Sequence, residues 1–506
     1  MNNNKKSYLN IFTGVFGQVI TIGIGILLPR LFITSYGSET NGFLSSINSI
    51  ITYLSLFEAG VGAATVQALY GPIGRGDREK INGILAATNR FYTRTGLIYG
   101  ACILALALVY PLVVRSDLSV GLQSAIILLV GSGGVLGYLF QAKFRLLLQA
   151  EGKQYVITNV VTVVHVLTSV GKLGCIALGL PVISLQILQF FLTLVQIACY
   201  YIYINKYYDW IDLSVKPDED AISQKNSALV HQICDMIFNH VDVVLLTLLV
   251  QNLRVVSVYT LYNMLVDMVS TLIGNVNSGF VFRLGQTYNI DKERHLRVFD
   301  TYETWYMAFS FAMYSITYMF LNPFMRLYTA GVTDTDYLLT YLPLLFVAYK
   351  LLVCGRAACG GMGAYAGHFQ QTRIHSVIET IINLFVSIGA VIYFERHWGL
   401  GIYGVLIGTI AALLFRANVM IWYANARILF RSPWLTYRKW VLDLIVTIVC
   451  CAIFHMIPLK MDNYFKLFAD AAVTSVAVLT AFILANSFCF RKNTKEIIQY
   501  LRRARS

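Results

Sequence analysis

The feature that most restricts this chain is a succession of long apolar runs separated by short polar connections. A helix needs about 20 apolar residues to cross the hydrocarbon core of a bilayer, whereas a barrel strand needs only about 10. The runs are too long for barrel strands and lack their alternation, so helices must satisfy the backbone inside the membrane. Only 13% of the residues are charged, against about 25% in a soluble domain. The chain is therefore expected to be an all-α polytopic membrane protein. Spans are expected at residues 10–35, 42–70, 83–111, 121–148, 155–179, 181–205, 230–251, 255–284, 301–322, 338–366, 373–394, 400–425, 438–458 and 464–489, about fourteen in all. MNNNKKSYLN leads directly into the first run, and no cleavable signal peptide is expected. The nine cysteines lie mostly in apolar runs without CxxC spacing, which reads as buried small residues.

The net charge of +13 is explained by basic loops on one membrane face, with no need of nucleic acid. That face receives Lys5, Lys6, the 75–94 region, Lys143, Arg145, Lys153, Arg283, Lys292, Arg294, Arg297, Arg427, Arg431, Arg438, Lys439 and the tail 491–505. The other receives little beyond Arg115, Arg254, Arg326, Arg396, Lys460 and Lys466. This asymmetry, about fourfold, assigns both termini to the cytoplasm. The longest polar connection, Lys206–Asn226, carries Pro217 and the acidic run Asp218–Asp220. It divides the first twelve spans into two sixes. GRGDREKI (74–81) after the second span resembles NIDKERHL (289–296) after the eighth, and YPLVVR (110–115) resembles NPFMRL (322–327). The organisation expected is a six-helix lobe over 1–205, a cytoplasmic linker over 206–229 and a second six-helix lobe over 230–430. Transmembrane helices 13 and 14 follow over 431–490, then a basic cytoplasmic tail over 491–506.

Charge inside a span costs roughly 2.5–3.5 kcal/mol at mid-membrane, and such groups face a bundle interior or a wet cavity. The basic set is Arg30, Lys172, Lys350, Arg356 and Arg416; the acidic set is Glu58, Asp235, Asp242 and Asp267. His231, Asp235 and Asp242 share one stripe of the seventh span, with Asn239 beside it. A His–Asp pair there can exchange a proton, help hold a cation, or form an ordinary hydrogen bond. Ser45, Ser49 and Thr52 on the second span, and Gln186, Gln189 and Gln196 on the sixth, suit sugar hydroxyls or plain helix–helix bonding. The glycine-dense CGRAACGGMGAYAGH (354–368) permits close packing or bending of the tenth span. There is no GxxxxGK[ST], HExxH, GxSxG or TVGYG, so no ATP hydrolysis, catalytic residue or metal ligand is expected. External loops are short, which opposes a membrane enzyme with an extramembrane catalytic module.

The stretch ILLPRLFITSYGSETNGFLSSINSIITYLSLFEAGVGAATVQALY turns over at Gly37–Gly42 and leaves through Gly71, Pro72 and Gly74 into a basic loop. It resembles the first hairpin of Wzx-type lipid-linked oligosaccharide flippases, of the multidrug/oligosaccharidyl-lipid/polysaccharide exporter superfamily. The resemblance implies two six-helix lobes in a V around a cavity, with the last helix pair alongside. It implies alternating access that moves undecaprenyl-pyrophosphate-linked oligosaccharide from the cytoplasmic to the outer leaflet of a bacterial cytoplasmic membrane. Arg30 and Glu58 match charged positions of the family's hairpin. No cofactor is implied; coupling is to a proton or sodium gradient. Other membrane proteins of polysaccharide assembly are candidate partners.

Chemistry agrees with that mechanism. A pyrophosphate cannot cross hydrocarbon bare, whereas Arg and Lys in a wet cavity bind it, Arg bidentately. On this reading Arg30, Lys172, Lys350, Arg356 and Arg416 bind substrate, while Glu58, His231, Asp235, Asp242 and Asp267 couple the ion or hold the cations. A multidrug/cation antiporter or a lipid II flippase of the same superfamily is the alternative.

Overall fold

In the computed structural model, the residues described are 3–58, 61–222, 226–366, 368–457 and 461–505. The side chains of 3–22, 57, 226–229, 278–283, 285–286, 289–290, 364–365, 369 and 499–505 fall outside the description. Lys5, Lys6, Arg283, Gly367, Lys460 and the last three arginines of the tail therefore contribute no side-chain observation.

Every described element is helical. The order is α1 Asn3–Leu54, α2 Val61–Arg75, α3 Arg78–Val113, α4 Val120–Leu136, α5 Ala142–Ala150, α6 Gln154–Ala177, α7 Val182–Tyr207 and α8 Asn226–Leu245. There follow α9 Leu253–Ile290, α10 Lys292–Tyr328, α11 Leu342–Tyr365, α12 Phe369–Trp398, α13 Gly401–Tyr423, α14 Trp434–Met456, α15 Tyr464–Cys489 and α16 Arg491–Arg505. π-Helical turns at Gly137–Gln141, Leu246–Val250 and Ala424–Ile428 join or extend α4, α8 and α13. Among the described residues, eleven helical segments are long and apolar enough to span a bilayer. α10 is long enough at 37 residues, but Tyr302, Tyr306, Ser310, Tyr314 and Ser315 temper its hydropathy. The first two expected spans fall on α1 and α2. This is a multi-pass membrane protein, and its outward faces carry exposed Leu104, Leu108, Leu112, Phe465 and Phe488, as lipid contact requires.

The opening hairpin differs from the loop expected at 37–42. The helix is interrupted only at Gly37, whose φ of 84° and ψ of 162° are open to a residue without Cβ. The second span is itself broken, because α1 ends at Leu54 and a 3-10 turn, Ser55–Glu58, precedes α2. Pro72 lies inside α2, and the chain leaves the helix at Gly76, with φ of 70°. The two similar polar loops do the same local work. Asp77 caps α3 by accepting from the Lys80 amide at 3.1 Å, and Asp291 caps α10 by accepting from the Arg294 amide at 3.0 Å. Each cap satisfies an orphan helix donor and is worth about 1 kcal/mol. Pro111 and Pro323 lie toward the ends of the same two helices.

The chain divides into two compact units, 1–257 and 258–506. In the first, Leu69, Ile84, Leu85, Leu147, Leu148 and Tyr200 form a core between α2, α3, α5, α6 and α7. The connection after α7 is docked on that core. The Asp218 amide donates to the Gly83 carbonyl at 3.0 Å, and Asn82 donates to the Trp210 carbonyl at 3.2 Å. Just past α7, Tyr208 donates to Glu151 at 2.6 Å; burial, then that carboxylate, hold its hydroxyl above the ordinary value. α8 packs on α1. The seam of α1 with the start of α9 is close: a Cβ at Gly42 would overlap the Leu253 carbonyl. Asn41 donates to Ser257 at 2.8 Å, and Ser46 bonds both Tyr110 and Thr247. Arg254 pairs with Asp117 at 3.1 Å and Glu39 at 3.7 Å at the end of this seam.

In the second unit, Met307, Phe311, Phe320, Leu467, Val478 and Phe482 form a core between α10, α14 and α15. α12 and α13 pack so closely that Gly404 and Gly408 lie against the α12 backbone.

Candidate functional site: intramembrane charge clusters

Among the described residues, four charged clusters are prominent within the spans, two in each unit. In the first unit, Glu58 sits where the second span breaks, so its carboxylate is not spent within a regular helix. The hydroxyls of Tyr138 and Tyr92 and the Arg145 guanidinium surround it. Tyr138 is placed there by the π-helical turn Gly137–Gln141, consistent with the frequent association of π-bulges with functional positions. Arg145, expected among the loop cations, is Glu58's basic neighbour.

The second cluster joins α6 and α7. Lys172 Nζ donates to Gln189 Oε1 at 2.6 Å, and His165 is its neighbour on α6. Among the described residues no carboxylate lies within ion-pair distance of Lys172. Farther along α7, Gln196 donates to Gln141 at 2.8 Å. Two of the three amides expected on that span thus serve other polar groups, and the third, Gln186, is buried.

In the second unit, Lys350 of α11 pairs with Asp267 of α9 at 2.6 Å. Asn263 donates to the other Asp267 oxygen at 2.8 Å and accepts from Tyr349 at 3.1 Å. The Lys350 ammonium lies 4.9 Å from the Tyr349 ring centre. This pair is locally neutral.

The fourth cluster is centred on Glu379 of α12, which is buried. Arg356 of α11 lies 2.9 Å from one carboxylate oxygen, and Arg416 of α13 lies 3.3 Å from the other. Arg416 also donates to Ser376 at 2.8 Å. Two guanidinium groups from different helices thus converge on one carboxylate. Glu379 was missed in the sequence reading. The rule applied to Glu58, a lone carboxylate inside an apolar run, would have found it.

The remaining expected residues are placed as follows. Arg30 lies on α1, its carbonyl accepting from Thr34 at 3.0 Å. His231, Asp235 and Asp242 all lie on α8. Asp235 is exposed, with Asn239 donating to its carbonyl at 2.7 Å, and Asp242 is buried near Tyr53. The stripe therefore spans two environments, exposed at Asp235 and buried at Asp242.

Two cations expected in loops are buried in a network at the start of α10. Lys439 Nζ lies 2.6 Å from Asp300 and 2.7 Å from Glu303; Arg431 lies 3.0 Å from Asp300 and 2.6 Å from Glu303. Thr436 donates to Glu303 at 2.8 Å, and Asn493 of α16 donates to Asp300 at 2.9 Å. Burial works against the Arg431 charge, but the Glu303 and Asp300 carboxylates together outweigh it and hold the guanidinium above its ordinary value. Two positive and two negative groups cancel, which marks this network as a tie between helices.

The sequence matches no protein-family model and no curated protein. Solved structures share the fold. "Lipid II flippase MurJ, inward closed conformation" superposes with a TM-score of 0.67 at 14% identity, over 96% of this chain and 99% of that one. An inward-facing multidrug resistance MATE family transporter of the MOP superfamily gives a TM-score of 0.65 at 15% identity, over 80% of this chain and 94% of that one. An outward-facing MATE transporter gives 0.53 at 15% identity, over 83% and 93%. The fold is that of these transporters and flippases.

Proposed function

We propose that this protein flips undecaprenyl-pyrophosphate-linked oligosaccharide across a bacterial cytoplasmic membrane, for assembly of a cell-surface polysaccharide. The observation that carries the reading is the Arg356–Glu379–Arg416 cluster, in which two guanidinium groups from α11 and α13 converge on one carboxylate of α12 inside the spans. Lys172, held by an amide alone among its described polar contacts, adds a second cationic site. Guanidinium groups bind pyrophosphate oxygens in paired hydrogen bonds, and low dielectric strengthens that attraction. Glu379 keeps both guanidinium groups oriented. The polyprenyl chain stays in lipid while the polar head crosses.

On this reading the two six-helix lobes alternate in access, both termini are cytoplasmic, and an ion gradient drives the cycle without nucleotide. Arg30 joins the cations that meet substrate. Glu58, His231, Asp235, Asp242 and Asp267 couple the proton or sodium ion or hold the cations in place. Lys350 is the weakest of the expected substrate contacts, because Asp267 neutralises it.

The second reading is a lipid II flippase, favoured by the near-complete superposition on MurJ. The test is reconstitution of the full chain into vesicles carrying one labelled head group at a time. Undecaprenyl-pyrophosphate oligosaccharide, lipid II and a cationic dye form the three arms. Protein-dependent transfer of the first alone supports the proposal; transfer of lipid II alone establishes the second reading, and transfer of the dye alone an antiporter.

A further inference from the structure

The last helix pair carries a polar site that the transport reading does not use. Asp443 of α14 and Asn486 of α15 are both fully buried at 0% exposure. Asn486 Nδ2 donates to Asp443 Oδ1 at 2.8 Å and to the Phe482 carbonyl at 3.1 Å. Both amide hydrogens are thereby spent, which fixes the amide's orientation. The two atoms left over, Asp443 Oδ2 and Asn486 Oδ1, are buried acceptors with no donor.

A carboxylate in this position is costly. Among the described residues no cation lies within ion-pair distance of Asp443. Its nearest candidate is Lys439, one turn earlier on the same helix, and that ammonium is committed to Asp300 and Glu303 of α10. Arg431 is committed to the same two carboxylates. The α15 segment around Asn486 contributes no charged residue to the seam, and the packed segment of α10, Met307–Phe320, contributes none either. A buried, unpaired charge is avoided by taking up a proton, and a buried acceptor without a donor is itself destabilising.

One proton resolves both difficulties. We propose that Asp443 is a resident proton-binding site: it is held as the neutral acid and donates its O–H to Asn486 Oδ1. The acid and the amide then form a reciprocal pair, N–H to carboxyl oxygen and O–H to amide oxygen. The proton comes from water and no covalent bond other than O–H is made. The site lies between α14 and α15, apart from the four charge clusters. It does not depend on what the protein transports.

The experiment is infrared spectroscopy of the full chain in lipid at neutral pH, with Asp443→Asn as the reference. A protonated-carboxyl carbonyl band present in the parent and absent in D443N is expected; its absence from the parent overturns the proposal. An amide mimics the neutral acid, so D443N should insert and keep its thermal midpoint, while Asp443→Ala loses several degrees. A D443N protein that fails to insert, or is as unstable as D443A, also overturns it. Asn486→Leu should keep the band but move it to higher frequency, because the carboxyl loses its hydrogen-bond partner. An unmoved band in N486L overturns the pairing with Asn486.

Discussion

The Arg356 guanidinium lies 2.9 Å from a Glu379 carboxylate oxygen, buried between α11 and α12. The other oxygen of that carboxylate faces Arg416 from α13, so a single acid organises two bases. Breaking a buried pair by removing one partner costs about 3–5 kcal/mol, because a charge is left uncompensated. In this cluster the partners are unequal. Removing Arg356 leaves Glu379 with Arg416, whereas removing Glu379 leaves two like charges side by side.

Glu379→Gln is therefore expected to destabilise the protein more than Arg356→Ala. Thermal unfolding of the purified variants measures the difference, and equal losses would argue against a shared carboxylate. In a deletion strain, Arg356→Ala and Arg30→Ala should abolish glycan export while the protein still inserts. Full complementation by both would end the case for cationic substrate contacts.

Lys439→Met should cost about 3–5 kcal/mol, since the buried Glu303 and the half-buried Asp300 would retain only Arg431 between them. A second change, Glu303→Gln, should restore much of that loss by removing the surplus negative charge. The double-mutant cycle reads the coupling directly. A null cycle would show that Lys439 and Glu303 are not energetic partners.

Gly42→Leu should fail to close the α1 seam, because even the first side-chain carbon overlaps the Leu253 carbonyl. Overpacking of this kind costs roughly 1–3 kcal/mol. Crosslinking between cysteines placed at Asn41 and Ser257, whose side chains bond at 2.8 Å, should fall when Gly42 is enlarged. Undiminished crosslinking would show that the seam adapts.

Asp235→Asn should change the dependence of transport on the proton or sodium gradient, since Asp235 is the exposed carboxylate of the α8 stripe. Transport measured across imposed gradients of each ion decides the matter; an unaltered dependence on both removes Asp235 from the coupling role.

Run length, charge asymmetry and proline and glycine placement are local properties of the chain. They were enough to define an all-helical membrane protein with helices near the expected positions, and to pair the two similar polar loops in which the structure places the caps Asp77 and Asp291. Single charges such as Arg356, Arg416 and Lys350 were legible for the same reason, since a charge in an apolar run stands out without knowledge of its neighbours. What each charge meets was not legible. Glu379 is 23 residues from Arg356 and 37 from Arg416, as the numbering in the chain shows, and only helix packing brings the three together. Arg431 and Lys439 read as loop cations because their carboxylates, Asp300 and Glu303, lie on a helix far away in sequence. A span's composition tells whether a charge must be compensated; the compensating group is chosen by tertiary contact, because electrostatic energy depends on distance in space and not along the chain.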